Sequence, residues 1–465
     1  MFLDKLLDHI TRHRLTEPGE TICVAASGGP DSTALLTALF ALKDNLKINL
    51  SVCHVNHGLR GAESDGDMYF VQKLAKSLSI PCVTARVDVK KHQLAVGGSV
   101  QSSARELRYL AFDRILRKKA ADKIATAHTA DDNAETVLLN LVRGSGTAGL
   151  SGIPRQRNKT IIRPLLGLRK AELMAYLDAN GTAHRIDVSN ESDKYARNRI
   201  RHNLVPLLEK DFNPAIVESL CKTAEIMSET RDFIEQQAGV IFLDVAKKTG
   251  ENGFSINRAY MAPLHPALQR EIIRIALTVL GRGLADISFE HTENIRRLAL
   301  NSRDGEETLL HRVRISVAHG VVYFLRSPSA RPAEFSHPFP KLGSVSLKET
   351  GCTVTVDDVD APPAEFDPAY NTVYLDADAV PKEAVLRNRR DGDIFQPIGA
   401  PGHMKLKKFL IGRQIPRWER DSLTLLAGAN EILWVAGSRI SERVRITPAT
   451  KRLLKISLHR DFVKL

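Results

Sequence analysis

A chain that runs Ile22-Cys-Val-Ala-Ala-Ser-Gly-Gly-Pro-Asp-Ser-Thr-Ala-Leu-Leu36 has little freedom in how it folds locally. The apolar, β-branched start reads as a buried strand, and the Ala/Leu-rich continuation as a helix. Ser27-Gly28-Gly29-Pro30-Asp31-Ser32 is the turn between them. Gly28 and Gly29 let the backbone approach an anion closely, and the free N–H groups and positive dipole end of the first helical turn face that anion. The hydroxyls of Ser27 and Ser32 add donors. A kinase-type phosphate loop would end in Gly-Lys-Ser/Thr; here Pro-Asp-Ser stands in that place, with no lysine to bridge terminal phosphates. Chemistry other than γ-phosphoryl transfer is expected.

The surrounding residues extend this turn into a layered fold. Over the first two hundred positions, short β-branched runs alternate with amphipathic stretches, the pattern of a parallel sheet covered on both faces. Strands are predicted at 21–25, 50–54, 82–87 and 123–127, and helices at 32–43, 64–79 and 102–119. Ligands in such folds sit beyond the carboxyl ends of the strands, where Ser27, His54 and His128 fall.

Composition narrows the partners. The chain has 465 residues, 43% of them hydrophobic, enough for two or three domains. Its formal charge is +12, and residues 382–465 hold 18 Lys and Arg against 8 Asp and Glu, so a polyanion is the expected partner of that end. The five cysteines, at 23, 53, 82, 221 and 352, form no Cys-x-x-Cys pair. That suits a reducing cytoplasm and leaves an iron–sulfur cluster or zinc ribbon without its usual local ligands. No apolar run reaches membrane-spanning length, so no membrane partner is expected.

A second motif, His128-Thr-Ala-Asp131-Asp132-Asn-Ala-Glu135-Thr136, leads from a strand end into a helix. Asp132 and Glu135 fit a capping box, but Asp131 and His128 are surplus to a cap. Beside a phosphate loop, the carboxylates of Asp131 and Asp132, with Asp31 adding a third, suit Mg²⁺. The glycines of Arg143-Gly144-Ser-Gly146-Thr-Ala-Gly149 have dinucleotide-fingerprint spacing in the wrong context, after a helix-like run at 134–142, so neither NAD nor flavin is expected. That segment reads as a lid or a nucleic-acid contact. His54 and His57 stand beside the nucleotide or serve as structural histidines; Arg105 and Arg108, three apart on one helix, grip a phosphate or form a solvated face.

Ser-Gly-Gly-Pro-Asp-Ser resembles the pyrophosphate (PP) loop of the N-type ATP pyrophosphatases, which split ATP into AMP and pyrophosphate. Further segments complete a more specific pattern: Arg163-Pro164-Leu165-Leu166, then Asp187 to Arg201 with Ser189, Asn190, Tyr195, Arg197, Asn198 and Arg199, then Arg389-Arg390-Asp391-Gly392-Asp393, and Lys405-Leu-Lys407-Lys408. Together these motifs are similar to those of the tRNA(Ile)-lysidine synthases and reach both ends of the chain. The resemblance implies a PP-loop α/β domain of the adenine nucleotide α-hydrolase type (1–210), a helical tRNA-docking domain (211–328) and a small mixed α/β, basic tRNA-binding domain (329–465).

It also implies a reaction. The C2 oxygen of the wobble cytidine of a CAU-anticodon tRNA-Ile attacks the α-phosphate of ATP, and free L-lysine then attacks C2 through its ε-amine and expels AMP. An activated oxygen is needed because a carbonyl oxygen leaves poorly, and the amine must lose a proton to attack. By motif position ATP falls to Ser27, Gly28, Gly29, Pro30, Asp31, Ser32, His54, His128 and Gly144. Catalysis falls to Asp31, Asp131, Asp132 and Arg197, the three aspartates sharing Mg²⁺ binding and proton acceptance in a division left open. tRNA contacts fall to Arg105, Arg108, Arg143, Arg201, Arg389, Arg390, Lys405, Lys407 and Lys408. A homodimer stays open. The rivals are a tRNA sulfur transferase, a small-molecule synthetase with the same loop, and a non-catalytic RNA-binding protein.

Overall fold

The computed structural model describes residues 1–185, 196–249, 253–281, 287–310, 313–326, 334–363, 365–413, 415 and 417–460. Two compact units divide the chain, Met1–Ile234 and Glu235–Leu465. The Asp187–Tyr195 part of the motif above lies outside the described residues.

In the first unit, strands β1 (Thr21–Ala25), β2 (Asn49–Asn56), β3 (Cys82–Arg86), β4 (Lys123–Ala125), β5 (Gln156–Arg157) and β6 (Ile161–Ile162) form one sheet in the order β3-β2-β1-β4-β6-β5. Every pairing is parallel except the β5–β6 edge. Among its helices are α1 (Phe2–Arg12), α2 (Pro30–Leu46), α3 (Ala62–Ser77), α4 (Val89–Val96), α5 (Val100–Arg117), α6 (Ala130–Val142), α7 (Thr147–Leu150) and α8 (Lys170–Ala179). The two-residue period of β1 sorts its side chains between the faces. Ile22 and Val24 join Leu6, Leu35, Leu39, Val71 and Leu173 from α1, α2, α3 and α8, while Cys23 joins Phe112 of α5 and Ile124. The expected doubly covered parallel sheet is therefore present. Helix α4 and the short β5–β6 edge were not predicted; two-residue strands leave no alternation to read.

The second unit begins within the long helix Ile216–Val245. Helix Pro266–Leu280 appears where its apolar spacing placed it, capped by the ring of His265. Beside it stands a five-stranded antiparallel sheet of Ala246–Lys248, Gly253–Asn257, Val321–Arg326, Val313–Ala318 and Glu307–Leu310, which the helical reading of 211–328 did not include. Phe254, Ile315 and Phe324 of these strands share a core with Ile272, Ile273 and Ile295 of the helices. The C-terminal part holds a seven-stranded and a four-stranded sheet. Within it Arg387 and Asp393 form a two-pronged ion pair at 2.9 and 2.6 Å, both side chains about nine-tenths buried, and Asp393 also accepts the Arg390 N–H at 2.8 Å.

Breaking that pair from one side strands a buried guanidinium. Asp393→Ala is expected to destabilise the Glu235–Leu465 unit by about 3–5 kcal/mol. Urea unfolding of the full chain, followed by the fluorescence of Trp418 and Trp434, which both belong to this unit, measures it. A loss below about 1 kcal/mol, the range of an exposed pair, would deny the pair this role.

Candidate active site

The turn between β1 and α2 is held open by its own side chains. Gly28 adopts φ +93°, which an L side chain rarely tolerates, so the turn needs glycine there for its backbone conformation. Ser32 Oγ accepts the Ser27 N–H at 3.1 Å and donates to the Gly29 carbonyl at 3.1 Å; Ser27 Oγ accepts the Gly29 N–H at 3.3 Å. Pro30 starts α2, so the missing N–H costs the helix nothing.

The turn borders a cavity of about 800 Å³ at the carboxyl ends of the strands. Its walls bring together Ser27, Gly29, Pro30, Asp31 and Ser32 with His128 from the β4–α6 connection, Asp132 from the first turn of α6, Arg105 and Arg108 from α5, and Arg197 and Arg201. Residues not assigned from the sequence also line it: Lys170, Arg185, Arg60, Asp67 and Tyr109. Seven Lys or Arg side chains face three Asp, a balance suited to a polyphosphate.

Asp31 is central. Its Oδ1 is buried and has no hydrogen-bond partner among the described residues, and its Oδ2 lies 3.4 Å from Lys170 Nζ. Burial raises its pKa, and Lys170 opposes that shift. Asp132 is the reverse case. Burial pushes its pKa up, but Arg197, the Thr129 N–H, His128 and Arg201 outweigh burial and hold the carboxyl below its usual range. Arg197 and Arg201 reach Asp132 Oδ1 at 3.1 and 3.3 Å and Glu135 at 2.8 and 2.5 Å. Glu135 is 3% exposed, so two arginines one helical turn apart neutralise two carboxylates one turn apart on α6.

Several sequence assignments take other places. The capping box of α6 is made by Thr129 and Asp132; Glu135 belongs to the arginine network instead. Asp131 does not line the cavity: its oxygens accept from Arg169 Nε at 3.1 Å and from the Lys170 N–H at 2.7 Å, at the positive N-terminus of α8. Arg169 also holds Glu209 and Glu218. His54 is buried behind the turn, where its Nδ1 donates to the Ala26 carbonyl at 2.9 Å; His57 lines the cavity. Gly28 supports the turn without lining the cavity, and Arg143 and Gly144 are exposed outside it. Arg105 stacks over the Tyr109 ring at 5.2 Å. The glycine-spaced segment follows helix α6 and not a strand, so the dinucleotide fingerprint lacks its context.

In the second unit Lys405, Lys407, Lys408 and Arg390 are exposed, the lysines around a short helix that buries Leu406, Phe409 and Leu410. Arg389 pairs with Asp421 at 2.6 Å. Lys170 and Arg185 escaped the sequence reading because nothing local marks them; their place is set by α8 packing on α2 and by Asp67, which accepts from Arg185 Nε at 3.0 Å and from Arg60 at 2.7 Å.

Family models match along the chain. A PP-loop domain model matches residues 3–208, a TilS substrate binding domain model residues 257–321 and a TilS substrate C-terminal domain model residues 384–457. The tRNA(Ile)-lysidine synthase of Symbiobacterium thermophilum is 35% identical over 98% of this chain and 98% of its own. The chain belongs to the tRNA(Ile)-lysidine synthase family. Members from Caldanaerobacter subterraneus subsp. tengcongensis (31% identical, 99% of this chain and 98% of the relative) and Dehalococcoides mccartyi (32%, 98% and 99%) match over the same span. Among solved structures, a U34-tRNA thiolase of Methanococcus maripaludis aligns with 49% of this chain and 78% of its own at TM-score 0.43 and 19% identity, too slight a likeness to bear on the reaction.

The partly buried imidazoles of this family member give its stability a pH dependence. Burial holds His57 and His128 at about 4, with Arg108 adding to the effect on His57, while Asp132 partly offsets it for His128. Between about 6.5 and 4 the unfolded chain binds protons that the folded chain refuses, so stability falls as pH falls across that window. His128→Asn is expected to flatten the slope of melting temperature against pH between 7 and 5. An unchanged slope would contradict the assignment.

Proposed function

We propose that the cavity beside Ser27–Ser32 carries both half-reactions of lysidine formation. Family membership makes the chain an ATP-dependent ligase that forms lysidine on tRNA-Ile; the residue roles are inferred from the geometry. The observation that carries the reading is the meeting of the phosphate turn, Asp31, His128 and Asp132 on one cation-rich cavity.

In the first step the cytidine O2 attacks the α-phosphorus of ATP, the α–β bond breaks and pyrophosphate leaves. The turn, Lys170 and the arginines of the wall meet the charge of the phosphates. Asp31, with its unpartnered buried oxygen, is the residue fitted to hold Mg²⁺, and Mg²⁺ when bound would neutralise the leaving pyrophosphate. Asp131, engaged by α8, takes the role of a helix cap rather than a ligand. In the second step the lysine ε-amine forms the bond to C2 and the C2–O bond to AMP breaks. Asp132, kept ionised by Arg197 and Arg201, draws the lysine ammonium toward the cavity, and the ammonium gives up one proton to solvent water before the free amine attacks.

Sulfur transfer is disfavoured. Cys53, which lines the cavity, has its thiol pushed well up by hydrogen bonding to Cys23 and by burial, against the thiolate such chemistry requires at the site. The five free cysteines fit a reducing cytoplasm, and among the described residues no helix is long and apolar enough to cross a membrane.

Asp31→Asn is expected to reduce tRNA-dependent pyrophosphate release by roughly 100-fold or more while leaving tRNA affinity unchanged. Near-normal release would remove Asp31 from the chemistry. Exposed Lys405, Lys407 and Lys408 are assigned to tRNA phosphates, so their triple replacement by Ala is expected to reduce the salt slope of tRNA binding by roughly 2–3. An unaltered slope would place the phosphate contacts elsewhere.

A further inference from the structure

The first unit holds a second, smaller cavity of about 170 Å³ that shares no lining residue with the first. Helix α1 contributes His9, Arg12 and His13, the segment after α7 contributes Arg155, and the helix that starts at Ile216 contributes Lys222 and Glu225. Its floor requires a glycine: a Cβ on Gly167 would fall 2.6 Å from His9 Nδ1, so the imidazole lies directly against backbone. His9 Nε2 and Arg155 Nε are both buried and without a hydrogen-bond partner among the described residues. The His9 and His13 rings meet edge to face at 4.7 Å, and Arg155 Nη2 holds Glu225 at 2.9 Å.

Two orphaned donors in one polar cavity call for an acceptor. The charges specify its sign. Arg12, Arg155 and Lys222 outnumber Glu225 among the lining residues, and Asp8 on α1 also bears on His13. Burial, His13, Arg155 and Arg12 keep His9 neutral, with a pKa of about 4. With Nδ1 against Gly167, the neutral ring can present Nε2–H to a ligand. The donors come from separate elements that line one small cavity, which suits an oxyanion with several acceptor oxygens.

We propose that this cavity is a phosphate-binding site, distinct from the ATP cavity, holding a phosphate oxyanion between His9, His13, Arg155 and Lys222. The same chemistry is offered by a phosphodiester of the tRNA backbone and by free inorganic phosphate. The test uses the full chain with isotope-labelled histidine, titrated with inorganic phosphate at neutral pH. The His9 and His13 resonances are expected to shift saturably. Arg155→Gln and, at an exposed position where folding is not at stake, Lys222→Glu are each expected to weaken that response roughly tenfold or more, the scale of one charge-assisted hydrogen bond. If tRNA displaces the phosphate and Arg155→Gln also weakens tRNA binding, the natural ligand is the backbone; if both bind together, it is free phosphate. Resonances that stay still up to millimolar phosphate, or a shift undiminished in both variants, would overturn the proposal.

Discussion

Parallel strands all end at the same edge of their sheet, and in this chain that constraint decides where chemistry can occur. β1 lies between β2 and β4, so the connections that follow the three strands open onto one crevice. Those connections carry Ser27–Ser32, His57 with Arg60, and His128 with Asp132. Nothing else in the first unit needs to be special for these side chains to meet. The glycine turn adds the one local requirement, a positive φ at Gly28 that keeps the strand-to-helix junction open to a phosphate.

Charge balance then fixes the rest of the wall. Glu135 and Asp132 sit one turn apart on α6, and burial of Glu135 would be unfavourable without partners. Arg197 and Arg201 meet both carboxylates and thereby place the 196–204 segment beside the cavity. Asp131, on the same helix, points its charge at the N-terminus of α8 and so sets Lys170 near Asp31. Three acidic neighbours in sequence thus serve three ends: Asp132 keeps a negative charge in the cavity, Glu135 anchors the arginines, and Asp131 positions a lysine.

How much of this was legible in the sequence follows from the range of each interaction. The phosphate turn was, because Gly, Pro, Asp and Ser act within a few residues and leave a readable pattern; so were β1 and the helix at Pro266–Leu280, whose periodicity is local. The separate duties of Asp131 and Asp132 were not, since they depend on Arg169 and Arg197, far away in sequence. His54 read as a ligand because it stands at a strand end, and only the fold reveals that its ring turns back to the Ala26 carbonyl. The antiparallel sheet of Ala246–Lys248, Gly253–Asn257, Glu307–Leu310, Val313–Ala318 and Val321–Arg326 was masked by the stronger helical signal between its strands.

The central claim is that one cavity activates cytidine and joins it to lysine. Incorporation of labelled lysine into a transcript of CAU-anticodon tRNA-Ile in the presence of ATP, with the CAU-anticodon methionine tRNA as competitor, tests it most directly. The account expects ATP-dependent label in the isoleucine tRNA alone, with AMP and pyrophosphate released in equal amounts. Pyrophosphate release without any label would keep the adenylation and contradict lysine as the second substrate.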